Sequence, residues 1–162
     1  MDFVMIPVGT EAPDFELPSN ALTPDGKPGK KVKLSSLRGQ NVVLAFYPLD
    51  FSPTCSKEHA CFKDDSVKIG AEHAQVLGIS VDSHWSHLAY AQQMGLEYPL
   101  LADFNPKGAV AEQYGLYLAD KGFASRATVI VDKSGKVAHA EEHPLGEPRD
   151  NARILEILHK LG

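Results

Sequence analysis

Short unbroken apolar runs alternate along the chain with longer stretches of helical spacing. The run Val42, Val43, Leu44, Ala45 and Phe46 has β-branched residues at its start and no polar interruption, which predicts a central strand covered on both faces. Pro48 ends it, because proline cannot donate to a strand ladder. Residues 75–81 and 126–131 repeat the pattern and predict two more buried strands. Asp132-Lys133-Ser134-Gly135 is a strong turn signal, after which 136–142 returns as a fourth main strand.

The helical spacing falls between and after these runs. One helix is expected to follow the first strand and run to about Ile69, with Gly70 as its stop. A second, capped by Asp82 or Ser83, continues to Met94 and stops at Gly95; a third, short, opens at Pro106 and runs to Tyr114, ended by Gly115. Residues 149–161 form an amphipathic helix with Ile154, Leu155, Leu158 and Leu161 on one stripe. Ahead of the first main strand, 1–13 lead in, 14–17 alternate as an edge strand, and 18–30 are turn formers that read as a loop or irregular hairpin. Residues 31–34 are a short strand, 35–38 one helical turn closed by Gly39, and 100–102 a short extended piece. The order strand–helix–strand–helix, then hairpin, then helix predicts an α/β fold with a mixed central β-sheet flanked by helices, one half parallel and one half antiparallel.

Length and composition narrow the class. The 162 residues suit one domain spanning 1–162 with a sizeable core, and no repeat, low-complexity segment or long linker divides it. Apolar and charged shares of 43% and 23% are ordinary for a globular chain. A net charge of −5 with no basic patch argues against nucleic acid as a partner. Two cysteines exclude a secreted disulfide framework. The opening MDFVMIPVG lacks a basic start and a long apolar core, so it is not read as a signal peptide, and no apolar run reaches membrane-spanning length. The expected location is the cytoplasm.

The chemistry concentrates in residues 47–61, YPLDFSPTCSKEHAC. Thr54 is the candidate N-cap of the helix, with Glu58 in its first turns, so Cys55 sits at or near the first helical position. A helix start carries free N–H groups and partial positive charge, both of which favour thiolate over thiol. Ser52 can present a hydroxyl into the same pocket. Taken alone, Cys55 could equally be a small buried hydrophobe.

Pro48, Ser52 and Cys55 fit Pro-x-x-x-(Thr/Ser)-x-x-Cys, which resembles the active-site signature of the peroxiredoxins, and Glu58 fits a frequent extension of it. The resemblance covers nearly the whole chain: GTEAPDFELP is similar to the family's opening, SVDSHWSHLAYA at 80–91 to its second strand–helix junction, and SRATVIVDKSGKV at 125–137 to its arginine-bearing strand and hairpin. It implies a thioredoxin-like fold and a thiol peroxidase in which Cys55 attacks hydrogen peroxide or an alkyl hydroperoxide and becomes a sulfenic acid. It further implies that Arg126, heading a buried strand, contacts the sulfur and the peroxide. Without the resemblance, Arg126 could be an exposed strand-end arginine. Ser52 stands where most members have threonine; it keeps the hydroxyl and loses the methyl that stiffens the rotamer. Pro48 would shield the sulfur, the N–H groups of Thr54 and Cys55 would serve as oxyanion donors, and Glu58 would position Arg126.

Cys61 is the candidate resolving thiol. Two residues six apart on one helix point about 240° apart and rise ~9 Å, whereas a disulfide needs Cα atoms within about 7 Å. An internal bridge therefore requires the first turns to unravel, as in bacterioferritin-comigratory-type members with a resolving cysteine usually five residues on. The other reading of Cys61 is a buried helical cysteine beside Phe62. Without it, a thioredoxin-like protein or a low-molecular-weight thiol would be the reductant, as in the single-cysteine alkyl hydroperoxide reductase E-like members. The resemblance implies no metal, flavin or haem.

Competing readings have weaker support. Cys55, His59 and Cys61 are close in sequence and His84 and His87 share a helix, but the spacing fits no zinc motif, and these histidines read as solvated helix faces. A thiol–disulfide exchanger would want Cys-x-x-Cys, which Ser56-Lys57-Glu58 does not supply. A chaperone or interaction role would not require Ser52, Cys55 and Arg126 together. Trp85 and Tyr90 fall where the family has a common dimer surface, which suggests a homodimer.

Overall fold

In the computed structural model, which describes residues 5–162, the unbroken apolar run becomes β3 (Asn41–Phe46), and every residue of it is buried. The expectation for the extreme N-terminus falls partly on residues 1–4, outside the described residues. Before β3 come β1 (Glu16–Pro18) and β2 (Lys31–Lys33); after it come α1 (Pro53–Ala71), β4 (Ala74–Ser80), α2 (His84–Met94), β5 (Leu100–Ala102) and α3 (Ala109–Gln113). The chain closes with β6 (Tyr117–Leu118), β7 (Phe123–Ala124), β8 (Ala127–Val131), β9 (Val137–Glu142) and α4 (Asn151–Leu161). The five-stranded sheet has the order β5-β4-β3-β8-β9. β3 and β4 are parallel, as are β4 and β5, while β8 runs antiparallel to both β3 and β9. The parallel and antiparallel halves meet at β3. This is the expected mixed sheet of a thioredoxin-like fold.

The two-residue period of a strand sends alternate side chains of β3 into two apolar layers. Val42, Leu44 and Phe46 pack with Leu77, Ile79 and Val129 on one face. Val43 and Ala45 pack with Val76, Ile130, and Phe62, Ile154 and Leu158 from α1 and α4 on the other. Fully burying a side chain of this kind contributes about 1.5–3 kcal/mol. Among the described residues, no helix is long and apolar enough to cross a membrane.

Several boundaries differ from expectation for identifiable reasons. α1 begins at Pro53, with Ser52 extended at φ −72° and ψ 146° in the cap position, so Thr54 is not the cap. A residue before proline is pushed to extended backbone, and proline suits the first helical position. α1 also runs through Gly70 to Ala71 and is turned out at His73, whose φ is +54°. α3 is shorter than expected and does not start at Pro106: the Asp103 carboxylate accepts from Val110 N and Ala111 N at 3.0 and 2.9 Å and sets the start there. β6 and β7 form a hairpin of two-residue strands, too short to show a period. α4 begins after Asp150, which accepts from Ala152 N, so Arg149 precedes the helix instead of opening it. Ile154 and Leu158 are buried, but Leu161, at the end of the stripe, is exposed. In the expected 132–135 turn, Gly135 has φ +92°, a backbone conformation that residues with a Cβ rarely adopt, so the turn needs glycine.

Candidate active site

The chain leaves β3 with Tyr47 and Pro48 buried and turns through 49–52 into α1. Phe51 holds φ +67°, an uncommon conformation for a bulky residue. Cys55 is therefore the third residue of α1, in its first turn, and is fully buried. The first turn of a helix has N–H groups without intrahelical partners. Here Pro53 has none, Ser56 N bonds Ser52 O at 2.9 Å, and the Ser52 side chain makes no capping bond. Among the described residues, that leaves the N–H groups of Thr54 and Cys55 without a partner in the same first turn as the sulfur.

Arg126 stands one residue ahead of β8 and is 1% exposed, so it is a buried guanidinium and not a strand-end surface residue. Its Nη2 donates to Cys55 Sγ at 3.3 Å and to Leu145 O at 3.0 Å. Its Nη1 pairs with Glu58 Oε1. Glu58 is also buried and receives a second arginine: Arg149 donates from its backbone N at 2.8 Å and from Nε at 2.7 Å to Glu58 Oε2. The remaining donors of Arg149 bond Ala127 O at 2.8 Å, Phe46 O at 2.7 Å and Thr128 Oγ1 at 3.2 Å. Burial alone would raise the Glu58 carboxyl, but Arg149 first and Arg126 second outweigh it and hold it below the ordinary carboxylate value. Two guanidiniums against one carboxylate leave one positive charge in a buried space, and Arg126 directs it at the Cys55 sulfur. A surplus positive charge in a buried space suits an anion beside it.

The other expected residues are placed as follows. Ser52 is half-buried, and its Oγ donates to Leu49 O at 3.0 Å, which commits the hydroxyl hydrogen and leaves the oxygen lone pairs to accept. Cys61 is exposed, not buried beside Phe62, and both cysteines are free. Tyr90 is buried and its hydroxyl lies 3.0 Å from Ser56 Oγ, whereas Trp85 is exposed. His59 and His87 are not on solvated faces. His59 is buried with Nδ1 2.5 Å from the Tyr98 hydroxyl; burial first and Arg149 second push it down to about 3. His87 is buried with Nδ1 2.8 Å from Asp50 Oδ2 and Nε2 2.9 Å from Leu101 O.

Sequence reasoning missed Arg149 and Asp50. An arginine between Pro148 and the cap residue Asp150, ahead of the helix, was the available signal for the first. Asp50 accepts from the Tyr47 hydroxyl at 2.6 Å and Ser86 Oγ at 2.9 Å, and its own N donates to Asp82 Oδ2 at 2.9 Å. It thereby ties the turn before Cys55 to α2.

The AhpC/TSA family model matches residues 8–140. Over 158 residues the chain is 37% identical to alkyl hydroperoxide reductase E of Mycobacterium tuberculosis, spanning 95% of this chain and 97% of that one. It is 40% identical over 157 residues to Peroxiredoxin-1 of Gekko japonicus, spanning 91% of this chain and 76% of the relative. The crystal structure of reduced 2-Cys peroxiredoxin from Plasmodium vivax superposes with a TM-score of 0.82 at 30% identity, covering 93% of this chain and 79% of that one. Mycobacterium tuberculosis AhpC reaches a TM-score of 0.86 at 24% identity, covering 98% and 94%, a likeness of fold.

Proposed function

The chain belongs to the AhpC/TSA family, the peroxiredoxins, and is a thiol-dependent peroxidase; on that premise we propose that Cys55 is its attacking sulfur, with Arg126, Ser52 and Pro48 forming the peroxide pocket. The observation that carries this assignment is the Arg126 Nη2 contact to Cys55 Sγ at 3.3 Å within a buried, charge-matched cluster. The thiolate attacks one peroxide oxygen; the S–O bond forms as the O–O bond breaks, and the second oxygen leaves as water or an alcohol after taking a proton. Arg126 and the free N–H groups of Thr54 and Cys55 stabilise the charge that grows on the oxygens. Ser52 Oγ accepts the peroxide hydroxyl, and Glu58 with Arg149 holds Arg126 in place. Hydrogen peroxide and alkyl hydroperoxides are the substrates.

A thiol then reduces the sulfenic acid, giving a disulfide and water. Cys61 lies on the same helix and is exposed. A bridge between the two cysteines requires the first turns of α1 to unwind, because their separation of ~9 Å along the axis exceeds disulfide reach. An external thioredoxin-like protein or a small thiol needs no such unwinding. We read the quaternary structure as a homodimer through the surface of α2 that carries the exposed Trp85.

Intact mass under non-reducing conditions after one equivalent of hydrogen peroxide tests the assignment. A gain of one oxygen at Cys55, with Cys61 untouched, assigns reduction to an outside thiol. A loss of two hydrogens, abolished in Cys61→Ser, assigns it to Cys61. No change within seconds, or the same change in Cys55→Ser, removes Cys55 from the role.

A further inference from the structure

The imidazole of a histidine just beyond β9 bonds neither the Cys55 sulfur nor the Arg126 guanidinium, yet an unbroken run of hydrogen bonds joins it to both. His143 Nε2 lies 3.0 Å from Thr128 Oγ1. Arg149 Nη1 donates to the same oxygen at 3.2 Å, and Arg149 Nε reaches Glu58 Oε2 at 2.7 Å. Glu58 pairs with Arg126, whose Nη2 meets Cys55 Sγ at 3.3 Å. The backbone repeats the link, since His143 N donates to Arg126 O at 2.7 Å.

The chemistry of the donors orders this run. A guanidinium only donates, so Thr128 Oγ1 accepts from Arg149 and its own hydrogen is left for His143. His143 Nε2 accepts that hydrogen only while the imidazole is neutral, with its single proton on Nδ1. A proton on Nε2 makes Thr128 Oγ1 accept from both sides, turns its own hydrogen away from the imidazole, and adds positive charge beside Arg149.

Among the described residues, no carboxylate bonds the His143 ring. From β9, His139 and Glu141 line the same cleft of ≈170 Å³, but Glu141 already bonds His139 at 3.1 Å and Arg153 at 3.1 Å. The following loop brings Glu147 and Arg149, and the start of α4 brings Asp150 and Arg153. Glu58 faces from α1 and is occupied by the two arginines. Burial first, and Arg149 second, hold the imidazole below its ordinary value, so the neutral form prevails at neutral pH.

We propose that His143 is a positioning residue for the peroxidase site, and that its protonation loosens the hold of Arg149 on Glu58 and Arg126 and slows the attack of Cys55 on peroxide. The proposal rests on Cys55 being the attacking sulfur.

The test is stopped-flow oxidation of the full chain by hydrogen peroxide between about pH 5 and pH 8, each variant normalised to its own rate at the upper end. His143→Gln can accept through Oε1 at the place of Nε2 and does not titrate. Every other pH-dependent step is common to it and the wild type, so the difference between the two isolates His143. The wild type is expected to fall further on acidification than His143→Gln by about fivefold, the low end of coupling between linked sites. Thr128→Val removes the middle link, so its profile is expected to be the same whether residue 143 is His or Gln. His143→Lys donates at every pH and is expected to be slow even at the upper end. Superposable profiles for the wild type and His143→Gln overturn the proposal, and those two proteins decide it even if His143→Lys does not fold. Failure of the wild type to oxidise at Cys55 at any pH overturns the assignment of Cys55 instead.

Discussion

Glu58 receives two guanidiniums in a space closed to water, and its carboxylate keeps Arg126 within reach of the sulfur. Removing one member of a buried charge cluster costs about 3–5 kcal/mol, because the others lose compensation. Glu58→Gln is therefore expected to lower the stability measured by urea unfolding by that order; a change under ~1 kcal/mol would contradict the cluster. The folded carboxyl lies below its ordinary value of 4.5, so its stabilisation is complete above that value and fades as pH falls through the lower folded value. Below about pH 4.5 the wild type should lose stability more steeply than Glu58→Gln. Arg126→Lys keeps the charge but not the planar fork that serves Leu145 O, Glu58 and Cys55 at once. Peroxide reduction should slow by about 10²–10³-fold, as when a donor to a developing oxyanion is removed. Equal rates in a folded Arg126→Lys protein would remove Arg126 from the pocket.

At the scale of elements, the strand–turn–helix from β3 to α1 does most of the placing. Its helix start was misread by two residues, although the signal was present: Pro53 fits the first helical position and forces Ser52 to be extended. The apolar runs of β3, β4 and β8 were legible because a strand covered on both faces carries a nearly unbroken apolar stretch. The two histidines were misread because a helix shows its spacing in sequence but not which neighbours cover it. His59 lies beneath Tyr47, Tyr90 and Tyr98, contributed by three other segments. α4 closes the layer over α1 through Ile154 and Leu158. Leu158→Ala should cost about 2–5 kcal/mol in thermal or urea unfolding, whereas truncating exposed Leu161 should change little.

Across the whole molecule, β3 belongs to both apolar layers, so neither layer persists without it. We expect residues 5–162 to unfold in one cooperative transition, with far-ultraviolet and tyrosine near-ultraviolet signals coincident; two separated transitions would show independent units. If the Trp85 face joins two copies, Trp85→Arg should shift sedimentation from dimer to monomer while the far-ultraviolet signal shows the fold retained, and the melting temperature should lose its dependence on protein concentration. An unchanged sedimentation coefficient would place the contact elsewhere.

The sequence by itself determined what depends on near neighbours. The spacing of apolar residues set the main strands and helices, and Pro48, Ser52, Cys55 and Glu58 stand close enough along the chain for one turn and one helix to gather them. Only the tertiary structure decided which charges meet. Arg126 reaches Cys55 across 71 residues and Arg149 reaches Glu58 across 91. A long polar side chain in sequence is equally compatible with solvent and with the interior. Its partner is chosen only when packing removes water and leaves an opposite charge or a carbonyl within bonding distance. That selection put a second arginine behind Glu58, buried the two histidines and left Cys61 on the surface.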